Sequence, residues 1–247
     1  MKNSILNKYK TEIIGISAEV AIADCFNVPV SGSYRSRGDA DIIANIQPNI
    51  PQIFYEYEIP KPVEHIAERQ NPIDFLLLGD KTLSVKTNQG DLGKVAPQII
   101  GQPTSLTYFK YFKDFIGDEI PILYHERVEL FKKFSIDNID LVIQEYWKNL
   151  FNSDFMVYFF NVLDKNKLPN EKVDSLVLLS FEQPMWDKNN FSFTQTLDSW
   201  NESNTVKYCG VSIGEFQVHN NRDCFKFRFD MKKIMRLIDN NVLFITK

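Results

Sequence analysis

The segment Pro72–Asn88, with the sequence PIDFLLLGDKTLSVKTN, gives the clearest structural signal in the chain. Two strand-like runs, Pro72–Leu78 and Thr82–Asn88, flank the turn residues Gly79–Lys81. Apolar and β-branched runs on both sides of a short Gly-containing loop are typical of a β-hairpin. Because side chains alternate across a strand, one surface of this hairpin is expected to be apolar and the other polar.

The polar surface of the predicted hairpin carries an acid and an amine. With a three-residue loop at Gly79–Lys81, Asp74 would lie directly opposite Lys86, with cross-strand partners about 5 Å apart. Ser84 and Asn88 would then share that face. A two-residue loop would instead place Asp74 and Lys86 on opposite faces, so the prediction depends on turn length.

A carboxylate and a lysine fixed side by side suit phosphodiester hydrolysis. A carboxylate oxygen is a natural ligand for a hard divalent cation, which neutralises phosphate and acidifies a bound water. The lysine can orient that water or stabilise the developing charge. The alternative interpretation is a surface ion pair that contributes less than about 1 kcal/mol.

At these residues the sequence resembles the PD-(D/E)xK nuclease superfamily, most closely its type II restriction endonucleases. The family has an acidic residue at the end of one strand and an acid-x-Lys triplet on the next, which correspond here to Ile73-Asp74 and Ser84-Val85-Lys86. Ser84 departs from the pattern, since most members have Asp or Glu there, although some restriction enzymes carry serine and recruit an acid from elsewhere. The resemblance implies catalytic roles for Asp74, Ser84 and Lys86, and Mg2+ bound at Asp74 and Val85.

The missing carboxylate is predicted at Glu19, in the sequence GISAEVAIA. A glutamate on the first helix that faces the active site is a recurrent family feature, and Glu12 lies seven residues earlier on the same helical face. Glu19 would act as a catalytic residue and metal ligand. Gln98 resembles the glutamine of a helix that follows the catalytic strand in many relatives, which implies a place near the metal. The alternative is that both are ordinary polar helix residues.

The loop sequence RSRGDAD, from Arg35 to Asp41, offers a rival pair of carboxylates. Asp41 opens an apolar run much as Asp74 does. Arg35 and Arg37 in a Gly/Ser loop could also contact DNA phosphates. The alternative is a loop of solvated charges.

The C-terminal segment Gly214–Phe229 predicts a second hairpin, apolar on one face and polar and cationic on the other. From Asn204 to Arg236 there are seven basic and three acidic residues, although the whole chain has a net charge of -4. A two-stranded ribbon fits the DNA major groove, and this segment also resembles C-terminal parts of type II restriction enzymes. An amphipathic hairpin at a sheet edge is the alternative. The predicted DNA-binding residues are Arg35, Arg37, Asn88, Gln217, His219, Asn220, Asn221, Arg222, Lys226 and Arg228.

Composition excludes several classes of protein. With 247 residues, 44% of them hydrophobic, the chain can bury a full core without a disulfide or structural metal. The apolar run Phe155–Leu163 is too short to span a bilayer, and no secretory signal is readable, so a cytoplasmic protein is expected. The three cysteines are widely spaced and indicate reduced thiols, no phosphate-binding loop motif occurs, and the three histidines are isolated.

The predicted elements give an α/β (α+β) class: a mixed central sheet flanked by helices, forming a restriction-endonuclease-like core with an added C-terminal β-hairpin region. We expect a nuclease core over residues 1–118 and a helical and DNA-recognition region over 119–247, joined in one compact unit. Predicted helices are Ile5–Phe26, Val63–Arg69, Lys94–Gly101, Ser105–Ile116, Glu119–Phe134, Asn138–Leu150 and Met231–Ile238. Predicted strands, besides the first hairpin, are Ile42–Ile46, Ile53–Ile59, Ser175–Phe181, Phe191–Leu197, Val211–His219 and Cys224–Phe229.

These observations predict an enzyme that cleaves double-stranded DNA at a specific sequence with Mg2+, as type II restriction endonucleases do. A homodimer acting on a palindrome, a DNA methyltransferase as genetic partner and no membrane association are expected. Two alternatives stay open: a DNA-binding protein that kept the nuclease fold but lost activity, and a structure-specific repair or phage nuclease.

Overall fold

The computed structural model describes residues 11–68, 71–117, 119–163, 173–219 and 222–246. The helices are α1 Thr11–Phe26, α2 Gly32–Arg35, α3 Ala40–Ile46, α4 Ile50–Glu56, α5 Ser105–Tyr111, α6 Lys113–Ile116, α7 Tyr124–Asp137, α8 Ile139–Leu150 and α9 Met231–Asp239. The strands are β1 Pro62–His65, β2 Phe75–Leu77, β3 Lys81–Thr87, β4 Lys94–Val95, β5 Phe155–Phe160, β6 Asp174–Leu179, β7 Gln183–Pro184, β8 Phe191–Phe193, β9 Ser203–Tyr208, β10 Val211–Val218, β11 Phe225–Asp230 and β12 Ile245–Thr246.

The chain forms two compact units, each built from two separate stretches. The first comprises Met1–Gly93 and Phe151–Phe181, and the second comprises Lys94–Leu150 and Glu182–Lys247. The compact units therefore interleave along the chain, whereas the expected ranges 1–118 and 119–247 describe a division by function that stays a prediction. Within the described residues, no helix is both long enough and apolar enough to cross a membrane.

The first unit contains a five-stranded mixed sheet in the order β1-β2-β3-β5-β6. The predicted hairpin of β2 and β3 is confirmed, and β3 runs parallel to β5 while the other neighbours are antiparallel. Helix α1 packs on β3 and α3, and its residues from Ile16 to Ala23 are all buried. Ser17 and Glu19, the polar residues of that stretch, therefore lie inside the unit rather than on its surface.

Two of the predicted strands are helices. Ile42–Ile46 lies in α3, and Ile53–Ile59 is mostly α4 and its C-terminal turn. The Asp39 side chain caps α3 by accepting hydrogen bonds from the backbone N–H groups of Asp41 and Ile42, at 3.0 and 3.2 Å. The residues of these helices that face the core recur at helical spacing; they are Ile42, Ile46, Ile50 and Ile53. The strand prediction was wrong because a short apolar run alone does not distinguish a strand from a helix.

Two of the predicted helices are wrong in the opposite sense. The described part of Val63–Arg69 contains strand β1, in which His65 pairs with Phe75. In place of the Lys94–Gly101 helix, β4 pairs with β11, and the carbonyl of Gly101 accepts a hydrogen bond from Phe227 N–H at 2.9 Å. The first segment is held by its pairing with the next strand, β2, and the second by its pairing with β11, far along the chain; local periodicity reveals neither partner.

The second unit contains an antiparallel sheet in the order β4-β11-β10-β9-β8. Aromatic side chains of α7 and α8 cover its inner face: Phe131 stacks on Phe225 with ring centroids 4.2 Å apart, and Tyr146 packs on Phe227 at 4.5 Å. The predicted helices Asn138–Leu150 and Met231–Ile238 and the C-terminal hairpin are confirmed, whereas Ser105–Ile116 is divided into α5 and α6, and the helix predicted over Glu119–Phe134 begins at Tyr124. The predicted α/β class, with a mixed sheet flanked by helices and an added C-terminal hairpin, is therefore confirmed.

Candidate active site

The turn of the first hairpin begins one residue earlier than predicted. Leu77 pairs with Lys81, so the connecting residues are Leu78, Gly79 and Asp80. Gly79 and Asp80 adopt positive φ angles of 75° and 56°, a left-handed conformation that glycine adopts without strain and aspartate tolerates. This position of the turn sets the register of the whole hairpin.

In that register Asp74 lies opposite Ser84, not Lys86. Phe75 pairs with Leu83, and the backbone N–H of Asp74 donates to the Leu83 carbonyl at 3.0 Å. The predicted direct pairing of Asp74 with Lys86 is therefore wrong by two residues. Since side chains alternate with a period of two, Lys86 still shares the face of Ser84, as predicted.

A chain of hydrogen bonds connects the three polar residues of the hairpin. The Lys86 Nζ donates to Ser84 Oγ at 2.8 Å, and Ser84 Oγ donates to Asp74 Oδ2 at 3.2 Å. The same Asp74 oxygen accepts the backbone N–H of Val85 at 2.5 Å. Ser84, at the position where the sequence resemblance leads us to expect an acid, connects the lysine to the Asp74 carboxylate.

Burial gives this cluster unusual electrostatics. Asp74 is 7% exposed, and burial followed by the nearby charge of Glu19 raises its pKa to about 6. Lys86 and the hydrogen bonds from Val85 and Ser84 act in the opposite direction. Burial also lowers the pKa of Lys86, against the attraction of the two carboxylates. The site therefore holds two acids and one amine close enough to influence each other.

Glu19 comes to this cluster from α1, where it is buried. Its Oε2 accepts a hydrogen bond from the Tyr34 hydroxyl at 2.7 Å and lies 2.9 Å from Nε2 of His65. Burial and the Glu19 charge raise the pKa of Tyr34 above its ordinary value. Neither partner is recognisable from the sequence, because Tyr34 and His65 lie 15 and 46 residues from Glu19.

The cluster adjoins a cavity of about 610 Å³ that Glu19 and Tyr34 help to line. Glu12 also lines it, which agrees with the prediction that Glu12 and Glu19 share a helical face. Arg37 forms an ion pair with Glu12 and lies over the Tyr34 ring, 5.4 Å from its centroid. Arg37 thus borders the cavity, although its cation already has a protein partner.

The rival carboxylate pair does not form a comparable site. Asp39 is engaged in capping α3, and Asp41 is exposed in the first turn of that helix. Arg35 forms a two-point ion pair with Asp24, at 3.0 and 2.5 Å. The run that Asp41 opens is a helix, so it does not repeat the strand environment of Asp74.

Asn88 and Gln98 are two further predicted site residues. The Asn88 side chain donates to the Asp91 carbonyl at 2.6 Å and accepts from the Gln89 N–H at 3.1 Å. Gln98 lies in a turn of the second unit rather than on the expected helix. The roles of both residues stay predictions.

The C-terminal hairpin has the predicted two-faced pattern. Phe216 pairs with Phe227 on the buried face, and Gln217 pairs with Lys226 on the half-exposed face. On that outer face Glu215 accepts hydrogen bonds from Lys94 at 2.5 Å and from Gln217 at 2.6 Å. Part of the predicted cationic surface is therefore balanced by one carboxylate.

Further basic residues lie along this face and toward the end of the hairpin. Arg228 lies 4.0 Å from Glu215, while His219 Nε2 and Arg222 are 3.0 Å apart. Burial lowers the pKa of Lys226, and the neighbouring charges of Arg228 and Arg222 act in the same direction. Asn220 and Asn221 lie outside the described residues.

The donor set of the first unit fits a hard divalent cation. Asp74 and Glu19 each use one carboxylate oxygen for hydrogen bonds, and no described residue donates to Asp74 Oδ1 or Glu19 Oε1. The described residues contain no group of three or more His, Cys, Asp or Glu side chains placed to hold a metal. Mg2+ commonly binds through one or two carboxylates and keeps several waters, so two carboxylates suffice for that ion.

No protein-family model matches the chain, and no solved structure shows a significant match. The chain is 28% identical over 239 residues to the type II restriction enzyme CviAII of Paramecium bursaria Chlorella virus 1, a match that takes in 94% of this chain. It spans 61% of the length of that relative. The similarity confirms the resemblance to type II restriction endonucleases inferred from the sequence: over nearly its whole length, the chain is similar to a type II restriction enzyme.

Proposed function

We propose that the protein is a type II restriction endonuclease that hydrolyses double-stranded DNA at a specific sequence with Mg2+. The observation that carries the proposal is the hydrogen-bonded chain from Lys86 through Ser84 to Asp74, with Glu19 within electrostatic reach. A surface ion pair would leave these groups in water, whereas here Asp74 and Ser84 are buried. Similarity to CviAII supports the same activity.

Asp74 and Glu19 are the proposed Mg2+ ligands, with Val85 as a further contact. A bound divalent cation would neutralise phosphate charge and lower the pKa of a coordinated water. The chain holds its two acids in place by different means: the Val85 N–H and the Ser84 hydroxyl fix Asp74, while partners from α2 and β1 fix Glu19. The second carboxylate that the family usually takes from its triplet therefore comes from α1.

Lys86 is proposed to act at the attacking water. Its amine is within electrostatic reach of the two carboxylates, whose attraction favours the ammonium form and opposes the effect of burial. In that form it can orient the water or stabilise the charge that develops on the phosphate. Ser84 accepts one Lys86 hydrogen bond and so fixes the direction of the amine relative to Asp74.

DNA recognition is proposed for the outer face and tip of the C-terminal hairpin. Arginine pairs with guanine and asparagine or glutamine with adenine in the major groove, and these residue types follow one another here. The proposed contacts are Gln217, His219, Asn220, Asn221, Arg222, Lys226 and Arg228. Two copies facing a palindrome, and a DNA methyltransferase that protects the same sequence, complete the proposal.

Digestion of plasmid and phage DNA by the purified protein, with Mg2+ or with EDTA, tests this function. Discrete bands that require Mg2+ are expected. DNA binding without any cutting would instead indicate an inactive nuclease fold, and degradation from ends would indicate a structure-specific nuclease. Asp74→Asn should abolish cutting, whereas Asp80→Asn, on the exposed turn of the same hairpin, should not.

A further inference from the structure

Glu19 is held through one of its two oxygens. Oε2 lies 2.7 Å from the Tyr34 hydroxyl and 2.9 Å from Nε2 of His65. An ionised carboxylate only accepts hydrogen bonds, so both partners must donate, and Nε2 of His65 must carry a hydrogen. The other oxygen, Oε1, receives no hydrogen bond from any described residue.

Both donors are themselves fixed by packing. The His65 side chain is 1% exposed, and its ring lies between those of Tyr34 and Phe75, with centroids 4.8 and 5.1 Å away. The backbone of Tyr34 is held at the start of α2, where its N–H donates to the Ser31 hydroxyl at 3.2 Å. Rotation of either donor would break these ring contacts, so the orientation of Glu19 is set by groups that cannot readily move with it.

A carboxylate in this position needs such support. Glu19 is close enough to Asp74 for the two negative charges to repel, and it also borders the open cavity. Without donors on Oε2, the side chain could turn toward the solvent of that cavity. The requirement is stronger in this chain than in one with an acid at position 84, because Ser84 provides no carboxylate.

We propose that Tyr34 and His65 are positioning residues that orient Glu19 as the second metal-binding acid of this site. The inference rests on the proposed function. Removal of a hydrogen-bond donor to a metal-binding side chain commonly lowers metal affinity or activity about 10- to 100-fold. His65 is well placed for this role because β1 is the immediate neighbour of β2, the strand that Asp74 precedes.

The test is direct Mn2+ binding by the DNA-free protein, measured from the electron paramagnetic resonance signal of free Mn2+. Tyr34→Phe, which keeps the ring and removes only the hydroxyl, is expected to weaken Mn2+ binding about 10-fold or more. His65→Ala is expected to do the same, and His65→Gln, which restores a side-chain N–H, to recover part of the loss. Tyr55→Phe, at an exposed tyrosine of α4, is the matched control and should bind Mn2+ normally.

Cleavage assays then separate positioning from a merely structural role. In Tyr34→Phe the metal concentration for half-maximal cleavage should rise about 10-fold, while the KM for DNA and the thermal midpoint stay unchanged. Wild-type Mn2+ affinity in a folded Tyr34→Phe variant would overturn this inference and leave the proposed function standing. That result would decide the question even if His65→Ala fails to fold. A wild-type protein that neither binds Mn2+ nor cuts DNA would overturn the proposed function, and this inference with it.

Discussion

Replacing Asp74 by asparagine should stabilise the protein while abolishing its activity. The pKa of Asp74 is raised from 3.8 to about 6, chiefly by burial and then by the charge of Glu19. Because one pKa unit corresponds to about 1.4 kcal/mol, the ionised carboxylate destabilises the folded protein by about 3 kcal/mol relative to its protonated form. Asparagine has the shape of the protonated acid and carries no charge, so this cost disappears.

The sign of the effect fixes its dependence on pH. Below pH 3.8 the Asp74 carboxyl is protonated in both the folded and the unfolded protein, so it does not lower the stability of the folded protein. As the pH rises toward about 6, the unfolded chain releases the proton while the folded protein retains it, so wild-type stability falls relative to the variant. Above about pH 6 the full difference in stability between the wild type and Asp74→Asn is present.

Urea unfolding in EDTA, at about pH 8 and about pH 5, measures this difference. Asp74→Asn is expected to raise the free energy of unfolding by up to about 3 kcal/mol at the higher pH, and by roughly half as much at the lower. Asp80→Asn, on the exposed turn, should show no difference at either pH. A variant less stable than the wild type at about pH 8, or a gain independent of pH, would refute the reasoning.

Three further predictions concern activity. Lys86→Ala should lower kcat by about 100-fold or more, as removal of one preorganised donor does elsewhere, with DNA binding retained. Ser84→Ala removes a hydrogen bond that lowers the Asp74 pKa, so the acid limb of the pH–rate profile should move to higher pH than in the wild type. Arg222→Ala and Arg228→Ala should weaken DNA binding: loss of a base contact costs about 1–3 kcal/mol and relaxes preference at one position, whereas loss of a phosphate contact acts uniformly.

Each of these predictions has a control and a contrary outcome. Lys61→Ala, an exposed lysine of the first unit, should cleave normally, and full activity in Lys86→Ala would remove the lysine from the mechanism. An unchanged acid limb in Ser84→Ala would mean that Asp74 does not control it. Undiminished DNA affinity in both arginine variants would exclude this hairpin as the DNA-binding surface.

The polar face of the first hairpin can be predicted from the sequence because the turn residues and the alternation of side chains along the strands both indicate it. Strand alternation puts Asp74, Ser84 and Lys86 on one face, and that parity survives an error of two residues in register. The error arose because Leu78 belongs to the turn, although its apolar side chain favours a strand; it is 55% exposed. Local hydrophobicity therefore located the site but not the pairing within it.

What the sequence missed depends on contacts between distant segments. Strand β5, the parallel neighbour of β3, was not predicted, since its apolar run resembles any buried segment. Glu19 was predicted from the family resemblance alone, and its partners Tyr34 and His65 come from separate elements. Short helices α3 and α4 were mistaken for strands because neither apolar run is long enough to show its period.

Cleavage by Glu19→Gln tests most directly whether α1 supplies the acid that the triplet lacks. The proposed site predicts that this variant folds, still binds DNA and cuts it at least about 100-fold more slowly with Mg2+. Glu64→Gln, an exposed glutamate of β1, should cut at the wild-type rate. Wild-type cleavage by Glu19→Gln would show that the second carboxylate lies elsewhere.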